Sequence, residues 1–283
     1  MNKILKITGN SGFIDLLGVL EYGITIAQYC DAAISIQWSR WENTFDKLFF
    51  LNSNIKYIKQ HDINNYINNN NNNNNNNIFN IHAATKTVTH ETPLSFYSEL
   101  FKTYNVIQIW DNRTIAREKP TSDIFNKISF DPVIFNEIKK YIKTLGESYT
   151  AFHGRFTDFP YIDTHIDTFK NNIFQALEQT KDNILLCTDN QTLISEFLTV
   201  PRVYNFNYIK ELLLNNIKLP DKQGTHLMHN QDIPDFYYNM QKSAITDFLL
   251  CVNSKVFHGS NGGYSKFIKT TRASNYINNI LKY

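Results

Sequence analysis

The sequence predicts an α/β protein with two parallel sheets, each covered by helices. Short apolar and β-branched segments alternate with amphipathic helical segments along both halves of the chain, and this alternation is typical of parallel sheets. The length of 283 residues suits two such units. We therefore predict one domain over residues 1–145 and a second over residues 146–283.

The N-terminal half begins as a βαβ unit. The first strand is KILKIT (3–8), and the tight turn GNSG (9–12) follows it. Apolar residues then recur at steps of three and four from Phe13 to Ala27, which predicts one buried face of a helix. The β-branched segment AAISIQW (32–38) predicts a second strand, and NVIQIW (105–110) predicts another.

An unbroken asparagine run, Asn68 to Asn77, interrupts this half. Such a tract has no side chains that can build a packed core. We predict a disordered loop insertion over about residues 64–80.

The best-defined helix is DPVIFNEIKKYIKTLG (131–146). Asp131 can cap it, Pro132 suits the first helical position, lysines occupy its last turn and Gly146 can end it. The strand SYTAFH (148–153) follows directly.

The remaining chain repeats the βα pattern. The predicted elements are a helix near Asp167–Gln179, the strand NILLC, a short helix ISEFL, the strand PRVYNF, a helix over Phe236–Leu250, the strand KVFH with a Gly-rich turn and helix, and a final helix SNYINNILKY.

Composition narrows the function classes. The net charge of +2 is too balanced for a protein that works on the nucleic-acid backbone, so no nucleic-acid partner is expected. The three cysteines, Cys30, Cys187 and Cys251, lie far apart in apolar runs, which favours buried thiols in a reducing compartment. No signal peptide or membrane span is recognisable, so a cytoplasmic protein is expected.

Four polar clusters follow predicted strands. They are GNSG (9–12), HGRFTD (153–158), CTDN (187–190) and HGSNGG (258–263). Because ligands bind at the carboxyl ends of the strands in open parallel sheets, these clusters are the candidate site.

Two clusters suit a phosphate-bearing ligand. Ser260, Asn261 and Gly262 lie in a glycine-rich turn before a helix, where backbone N–H groups and the helix dipole can hold phosphate. Arg155 offers a rigid charged fork suited to a diphosphate, and His153 can donate to phosphate or to a base edge. The alternative for HGSNGG is a plain strand-to-helix loop. The alternative for HGRFTD is a surface arginine that pairs with a nearby aspartate.

Other chemistries have weaker support. His153, Asp158, Asp163, His165 and Asp167 are close in sequence, and His226 and His229 form another pair, but their spacings match no common zinc pattern. We therefore expect no bound metal, and a metal-dependent hydrolase is the least favoured alternative. In CTDNQT, Thr188, Asp189 or Asn190 can simply cap the next helix. Nucleophilic catalysis is not favoured, because there is no G-x-S-x-G segment and no cysteine beside a histidine.

The order of these motifs resembles the GDP-fucose-dependent fucosyltransferases, which include bacterial nodulation fucosyltransferases, α1,6-fucosyltransferases and protein O-fucosyltransferases. The resemblance rests on the first turn GNSGFID, on H-x-R-x-T-D from His153 to Asp158, on the strand ending Thr188-Asp189 and on the Ser260 turn. Asp15 and Trp38-Ser39-Arg40 fall at places comparable to the family's opening segment. The late motif HGSNGGYSKF departs from the family's Ser-rich turn, which an arginine and a glutamate follow.

The resemblance implies a GT-B architecture of two Rossmann-like domains facing a cleft, with the acceptor on the N-terminal side and the nucleotide sugar on the C-terminal side. It implies transfer of fucose, or a related sugar, from a GDP-sugar to a glycan or protein hydroxyl, with no metal and no cofactor beyond the donor. An inactive nucleotide- or glycan-binding protein of the same fold is the alternative.

The resemblance also implies individual roles. Arg155 would contact the β-phosphate and His153 would line the nucleotide site. Further nucleotide contacts would come from Asp189 and Ser260, with Thr188, Asn261 and Gly262 beside them, and Asn10 would face the donor. Asp15 and Asp158 are the candidate bases for the acceptor hydroxyl, and Asp158 can instead brace the loop that carries Arg155.

Overall fold

The computed structural model describes residues 3–9, 12–38, 44–63, 78–81, 91–110, 120–156, 166–217, 233 and 235–274. The chain divides into two compact units, Met1–Asp131 and Pro132–Tyr283. The division lies before the Pro132–Leu145 helix, whereas the sequence suggested a boundary after it. This helix belongs to the second unit because it packs against the long Phe236–Asn253 helix.

The first unit is built on a four-stranded parallel sheet. Its elements are β1 (Ile4–Gly9), α1 (Phe13–Tyr29), β2 (Ala33–Trp38), β3 (Phe49–Leu51), β4 (Ile78–Ile81), α2 (Leu94–Thr103), β5 (Val106–Trp110) and β6 (Ile128–Phe130). The strand order is β2-β1-β5-β4, and β3 pairs antiparallel with β6. Short helical segments occupy Phe45–Leu48, residues 60–63 and Ser122–Asn126.

Helix α1 covers one face of this sheet. Gly23 of α1 lies directly over β1, since a Cβ there would come within 2.0 Å of Ile7 Cδ1. A larger residue at this position would require the Ile7 side chain to move. The close contact buries the central apolar residues of α1 and of β1 together.

The second unit is a second four-stranded parallel sheet. Its elements are α3 (Pro132–Leu145), β7 (Tyr149–Gly154), α4 (Ile166–Gln179), β8 (Asn183–Thr188), α5 (Gln191–Phe197), β9 (Val203–Tyr204), α6 (Tyr208–Leu214), α7 (Phe236–Asn253), β10 (Val256–Gly259) and α8 (Gly263–Ala273). The strand order is β10-β7-β8-β9. Strands β8 and β9 follow β7 in order on one side of it, and the last strand, β10, pairs with the opposite edge of β7.

The two faces of the second sheet have separate cores. On one face, Phe152 and Leu186 pack with Phe169 and Ile173 of α4. On the other face, α7 packs under β7, and the Tyr149 hydroxyl donates to the Leu250 carbonyl at 2.7 Å. The strands are therefore covered by helices on both sides, as the apolar runs of β7 and β8 require.

The sequence-predicted α/β class is confirmed, with corrections in the first unit. Residues Ile78–Ile81 form β4 and pair with β5, so the predicted insertion does not extend to residue 80. The asparagine run and the predicted C-terminal helix lie outside the described residues. Helix α2 and the β3–β6 pair were not predicted. Among the described helices, none has the length and apolar composition of a membrane span.

Candidate functional site

The candidate site lies where the strand order of the second sheet reverses. Strand β7 connects forward to β8, and β10 pairs with its opposite edge, with Gly259 in register with His153. A crevice forms outside the carboxyl ends of two strands whose connections leave in opposite directions. The motifs HGRFTD and HGSNGG end these two strands, so the topology brings them together.

His153 is the central side chain of this crevice. Its Nδ1 lies 2.7 Å from Ser265 Oγ, and its ring stacks on Tyr264 with centroids 4.7 Å apart. Burial, with a smaller contribution from the Arg155 charge, lowers the pKa of His153 to about 3. The imidazole is therefore neutral at physiological pH and can both donate and accept a hydrogen bond.

The Ser260 turn is tied to His153 and to α8. The Ser260 N–H donates to the His153 carbonyl at 3.2 Å, and the hydroxyls of Ser260 and Ser265 lie 3.3 Å apart. Gly259 permits this close packing, because a Cβ there would come within 2.8 Å of Ser265 Cβ. Gly262 precedes α8 with an extended backbone and no side-chain cap, while Asn261 is exposed. The first N–H groups of α8 thus begin beside the turn.

Arg155 and Asp189 form an ion pair across β7 and β8. Arg155 Nε lies 3.8 Å from Asp189 Oδ2, and Asp189 Oδ1 accepts from the Phe156 N–H at 2.9 Å. Asp189 therefore holds both the backbone and the guanidinium of the Arg155 loop. The Arg155 side chain remains about 29% exposed at the end of β7.

The rest of CTDN shapes the turn after β8. Asn190 caps α5, since its side chain accepts from the Leu193 N–H at 2.9 Å. The Thr188 hydroxyl accepts from the Asn190 N–H at 3.2 Å and is buried. The capping alternative thus describes Asn190, and Thr188 holds the turn.

Asp247 is a buried carboxyl near the candidate site that the sequence motifs did not indicate. It lies on α7 with 6% exposure, and Asn207 Nδ2 donates to its Oδ2 at 3.0 Å. Within the described part of the chain, its Oδ1 is buried with no hydrogen-bond partner. Burial raises the pKa of Asp247 to about 7, although the Asn207 amide and the Cys187 thiol lower it. The available signal was a single charge within the apolar segment SAITDFLLC.

Two neighbours connect Asp247 to His153. Cys187 is the register partner of His153 on β8, and Tyr264 stacks on the His153 ring. Asp247 interacts electrostatically with both, and the pKa of Tyr264 is raised by burial and by the Asp247 charge. Cys187 and Tyr264 thus lie near both the Asp247 carboxyl and the His153 imidazole, on the α7 side of the sheet.

The buried carboxyl of Asp247 predicts a pH effect on stability. Its pKa is higher in the folded chain than the ordinary value of 3.8, so the folded chain binds more protons between pH 4 and 7 and this contribution to stability falls as pH rises. The variant Asp247→Asn is expected to raise the melting temperature relative to wild type, and more at pH 8 than at pH 5. Thermal unfolding of both proteins at the two pH values measures the difference.

The difference between variant and wild type is needed because His153 acts in the opposite sense. Its pKa is lowered on folding, so its contribution to stability is lost as pH falls from about 6.5 toward 3. Both proteins contain His153, and its contribution cancels. An Asp247→Asn difference that is the same at pH 5 and pH 8 would contradict the raised pKa.

Three further residues were predicted from the sequence to act in catalysis or donor binding: Asn10, Asp15 and Asp158. Asp15 lies in the first turn of α1, in the first unit. Asn10 and Asp158 lie outside the described residues, so their predicted roles stay predictions.

The histidine and aspartate cluster lies largely outside the described residues as well: Asp163, His165, His226 and His229 belong to segments without a description. In the described segments, no group of three or more His, Cys, Asp or Glu side chains could hold a metal ion. The three cysteines are free and buried, as predicted.

The residues of the candidate site offer three kinds of interaction to a ligand. Arg155 and the start of α8 provide positive potential for an anion. The neutral His153 offers one donor or acceptor in a site that is partly closed to water. Asp247 presents an unsatisfied carboxylate oxygen, which suits a ligand edge that carries N–H donors.

Comparisons with known proteins identify the fold. No protein-family model and no curated protein matches the sequence. The structure is similar to that of a NodZ α-1,6-fucosyltransferase soaked with GDP-fucose, with a TM-score of 0.54, 14% identity, and 96% of this chain and 93% of that chain covered. The fucosyltransferase NodZ from Bradyrhizobium gives a TM-score of 0.55 and 14% identity over 95% of this chain and 92% of that chain.

POFUT1 in complex with GDP gives a TM-score of 0.57 and 12% identity over 96% of this chain and 94% of that chain. The similarity extends over nearly the full length of each protein. This chain therefore has the GT-B-like fold of these proteins, and the resemblance predicted from its motifs is confirmed at the level of the fold.

Proposed function

We propose that this protein is a metal-independent glycosyltransferase that transfers fucose from GDP-fucose to a hydroxyl of a glycan or a protein. The observation that carries the proposal is the crevice of the second unit. In a fold shared with proteins solved with GDP and GDP-fucose, it combines a partly exposed arginine with a nearby buried carboxyl whose Oδ1 has no hydrogen-bond partner among the described residues.

The diphosphate would lie between Arg155 and the start of α8. In glycosyl transfer the sugar carbon becomes positively charged while the departing diphosphate gains negative charge. A guanidinium already held by Asp189, together with backbone N–H groups at a helix start, can stabilise that charge without reorganising. Arg155 would thus supply the charge stabilisation that a divalent cation provides in metal-dependent transferases.

The guanine base would be recognised by Asp247 and His153. Guanine carries two adjacent N–H donor groups on one edge, and a carboxylate can accept from both. Binding would give Asp247 Oδ1 the partner that it lacks in the described structure. Uracil has a single ring N–H between two carbonyls, so a buried carboxylate would be only half satisfied and would face acceptor oxygens.

The acceptor would approach from the first unit. Asn10 would face the donor, and Asp15 or Asp158 would take the proton from the acceptor hydroxyl as it attacks the sugar carbon. Ser260, Asn261, Gly262 and Thr188 are proposed as supporting contacts or supports of the nucleotide site. The transfer would release GDP and form one new glycosidic bond.

A thermal-shift screen against GDP, UDP, ADP and their sugars tests the donor class. A ligand present at 100 times its dissociation constant stabilises the folded protein by about 2.7 kcal/mol. We expect GDP and GDP-fucose to raise the melting temperature and UDP to have little effect. The variant Asp247→Asn is expected to lose most of the preference for GDP over UDP, whereas the exposed-lysine variant Lys140→Ala is expected to retain it.

Release of GDP from GDP-fucose, measured with and without EDTA, then tests catalysis. Turnover that persists in EDTA supports the proposal. Binding of GDP without any turnover over a panel of acceptors would instead indicate an inactive nucleotide-binding protein. A stronger response to UDP than to GDP would contradict the role proposed for Asp247.

A further inference from the structure

The first unit contains a buried lysine that the proposed function does not use. Side chains alternate between the two faces of a strand. Ile7 of β1 faces α1, because it lies against Gly23. Lys6 and Thr8 therefore point to the opposite face of the sheet.

Neighbouring strands add polar groups to the same face. Lys6 is in register with Ser35 on β2 and with Gln108 on β5. Gln108 Nε2 donates to Thr8 Oγ1 at 3.4 Å, and all four of these side chains are buried. Nearer the amino end of the sheet, Ile4 and the residues packed on it form an apolar cluster. The polar group thus lies between this apolar cluster and the carboxyl ends of β1 and β5.

Two groups in this cluster lack partners. Lys6 is 8% exposed, so only a small part of its side chain, including Nζ, reaches solvent, and its Nζ has no hydrogen bond or ion pair among the described residues. Ser35 is fully buried, and Ser35 Oγ has no hydrogen-bond partner among the described residues. Burial also lowers the pKa of Lys6. An unpaired ammonium and an unpaired hydroxyl therefore lie side by side on adjacent strands.

The chemistry of these groups indicates the missing partner. Burying a cation without a counter-charge costs several kcal/mol, and burying an unsatisfied hydroxyl adds to this. A neutral water would satisfy hydrogen bonds but not the charge. An oxyanion could accept from the Lys6 ammonium and from the Ser35 hydroxyl, because the two residues are in register on adjacent strands whose backbones are about 4.8 Å apart. The amide of Gln108 and the hydroxyl of Thr8 are the adjacent donors.

We propose that Lys6, Ser35, Thr8 and Gln108 form a binding site for a small oxyanion, either free phosphate or the carboxylate of an organic acid. The Lys6 site belongs to the first unit, and it shares no residue with the proposed nucleotide site. Its occupant would neutralise Lys6 and stabilise the first unit by preferential binding to the folded chain.

Thermal unfolding in the presence of sodium phosphate or sodium acetate tests the site. The experiment uses the full chain at constant ionic strength, with chloride as the replacement anion. Because Arg155 can also bind phosphate, all proteins carry Arg155→Ala. We expect phosphate or acetate to raise the melting temperature of this parent. The response to each anion distinguishes free phosphate from a carboxylate.

Substitutions in the site give the decisive comparison. Lys6→Met keeps the length of the side chain and removes the charge, so this protein is expected to be at least as stable as the parent without added anion and to show no anion response. Ser35→Ala is expected to weaken the anion about tenfold by titration calorimetry. Lys140→Met, on an exposed face of α3, is the matched control and should respond like the parent.

Three results would overturn the proposal: no response of the parent to either anion, an equal response of Lys6→Met, or an unchanged affinity of Ser35→Ala. If Lys6→Met does not fold, the calorimetric comparison of the parent with Ser35→Ala decides, since that substitution removes only a hydroxyl.

Discussion

Replacing Arg155 with alanine is expected to lower turnover of the sugar nucleotide by roughly 10²-fold or more, as the loss of one preorganised charge-stabilising contact does in other enzymes. The reason is the developing charge on the departing diphosphate, which the guanidinium meets in a partly closed crevice. Rates of GDP release at saturating and at low donor concentration measure the effect as a change in kcat and in kcat/KM.

The Arg155→Ala protein is expected to fold normally. Asp189 keeps its hydrogen bond from the Phe156 N–H, so the loop after β7 stays anchored without the ion pair. The variant Arg155→Lys retains a charge but not the fork, and it should recover only part of the rate. Lys140→Ala is the control for the loss of one positive charge. Near wild-type turnover of a folded Arg155→Ala protein would refute the proposed role.

The second large effect is on stability and concerns Arg272 at the end of α8. The two N–H groups of its Nη1 are shared among the carbonyls of Cys251, Val252 and Ser254, which lie 2.5–3.0 Å away, and its Nη2 donates to the Lys255 carbonyl. The last carbonyls of a helix have no intrahelical partner. One guanidinium therefore satisfies the carboxyl end of α7 and the link from α7 to β10.

Replacing Arg272 with alanine leaves several of these carbonyls without a donor in a partly buried place. We expect the free energy of unfolding to fall by about 3 kcal/mol, in line with the loss of hydrogen bonds from a charged donor. A lower midpoint in urea at an unchanged slope is the result that checks it. Lys269→Ala, an exposed substitution on the same helix, should have little effect.

The Arg272→Ala and Arg155→Ala proteins are expected to differ in turnover. Arg272 lies at the last turn of α8, whereas Ser265 and the Ser260 turn lie at its start. Well below the melting temperature, Arg272→Ala is therefore expected to keep most of its turnover. An Arg272→Ala protein with unchanged stability would show that the carbonyls find other donors. The hydrogen bonds of Arg272 would then not be needed for the stability of the fold.

Much of the second unit could be predicted from sequence because its signals are local. Asp131, Pro132 and Gly146 mark the limits of α3, which spans Pro132–Leu145, and Gly146 has the positive φ of 87° that favours glycine after a helix. The motifs at the ends of β7, β8 and β10 were recognised as turns with ligand-binding groups, since polar residues directly follow apolar strands.

Other features could not be predicted because they depend on partners distant in sequence. Asp247 is an unusual charge in an apolar helix, but its role depends on burial beneath β8 and beside Asn207. Lys6 is a single charge within an otherwise largely apolar strand, and the segment KILKIT does not show whether its ammonium reaches solvent. Only the pairing with Ser35 and Gln108 shows that it is enclosed. The strand β4 was missed because its short apolar segment borders the asparagine run.

The α/β class, the main helices of the second unit and the turns that carry His153, Arg155 and Ser260 follow from local patterns, because periodicity, capping and glycine placement act over a few residues. The contacts between these turns follow from the strand order, which pairs segments that are distant in the chain. The strand order β10-β7-β8-β9 brings Ser260 and Ser265 to His153, and the packing of α7 brings Asp247 near Cys187 on the neighbouring strand. These contacts depend on burial and on pairing between distant segments, which no local pattern encodes.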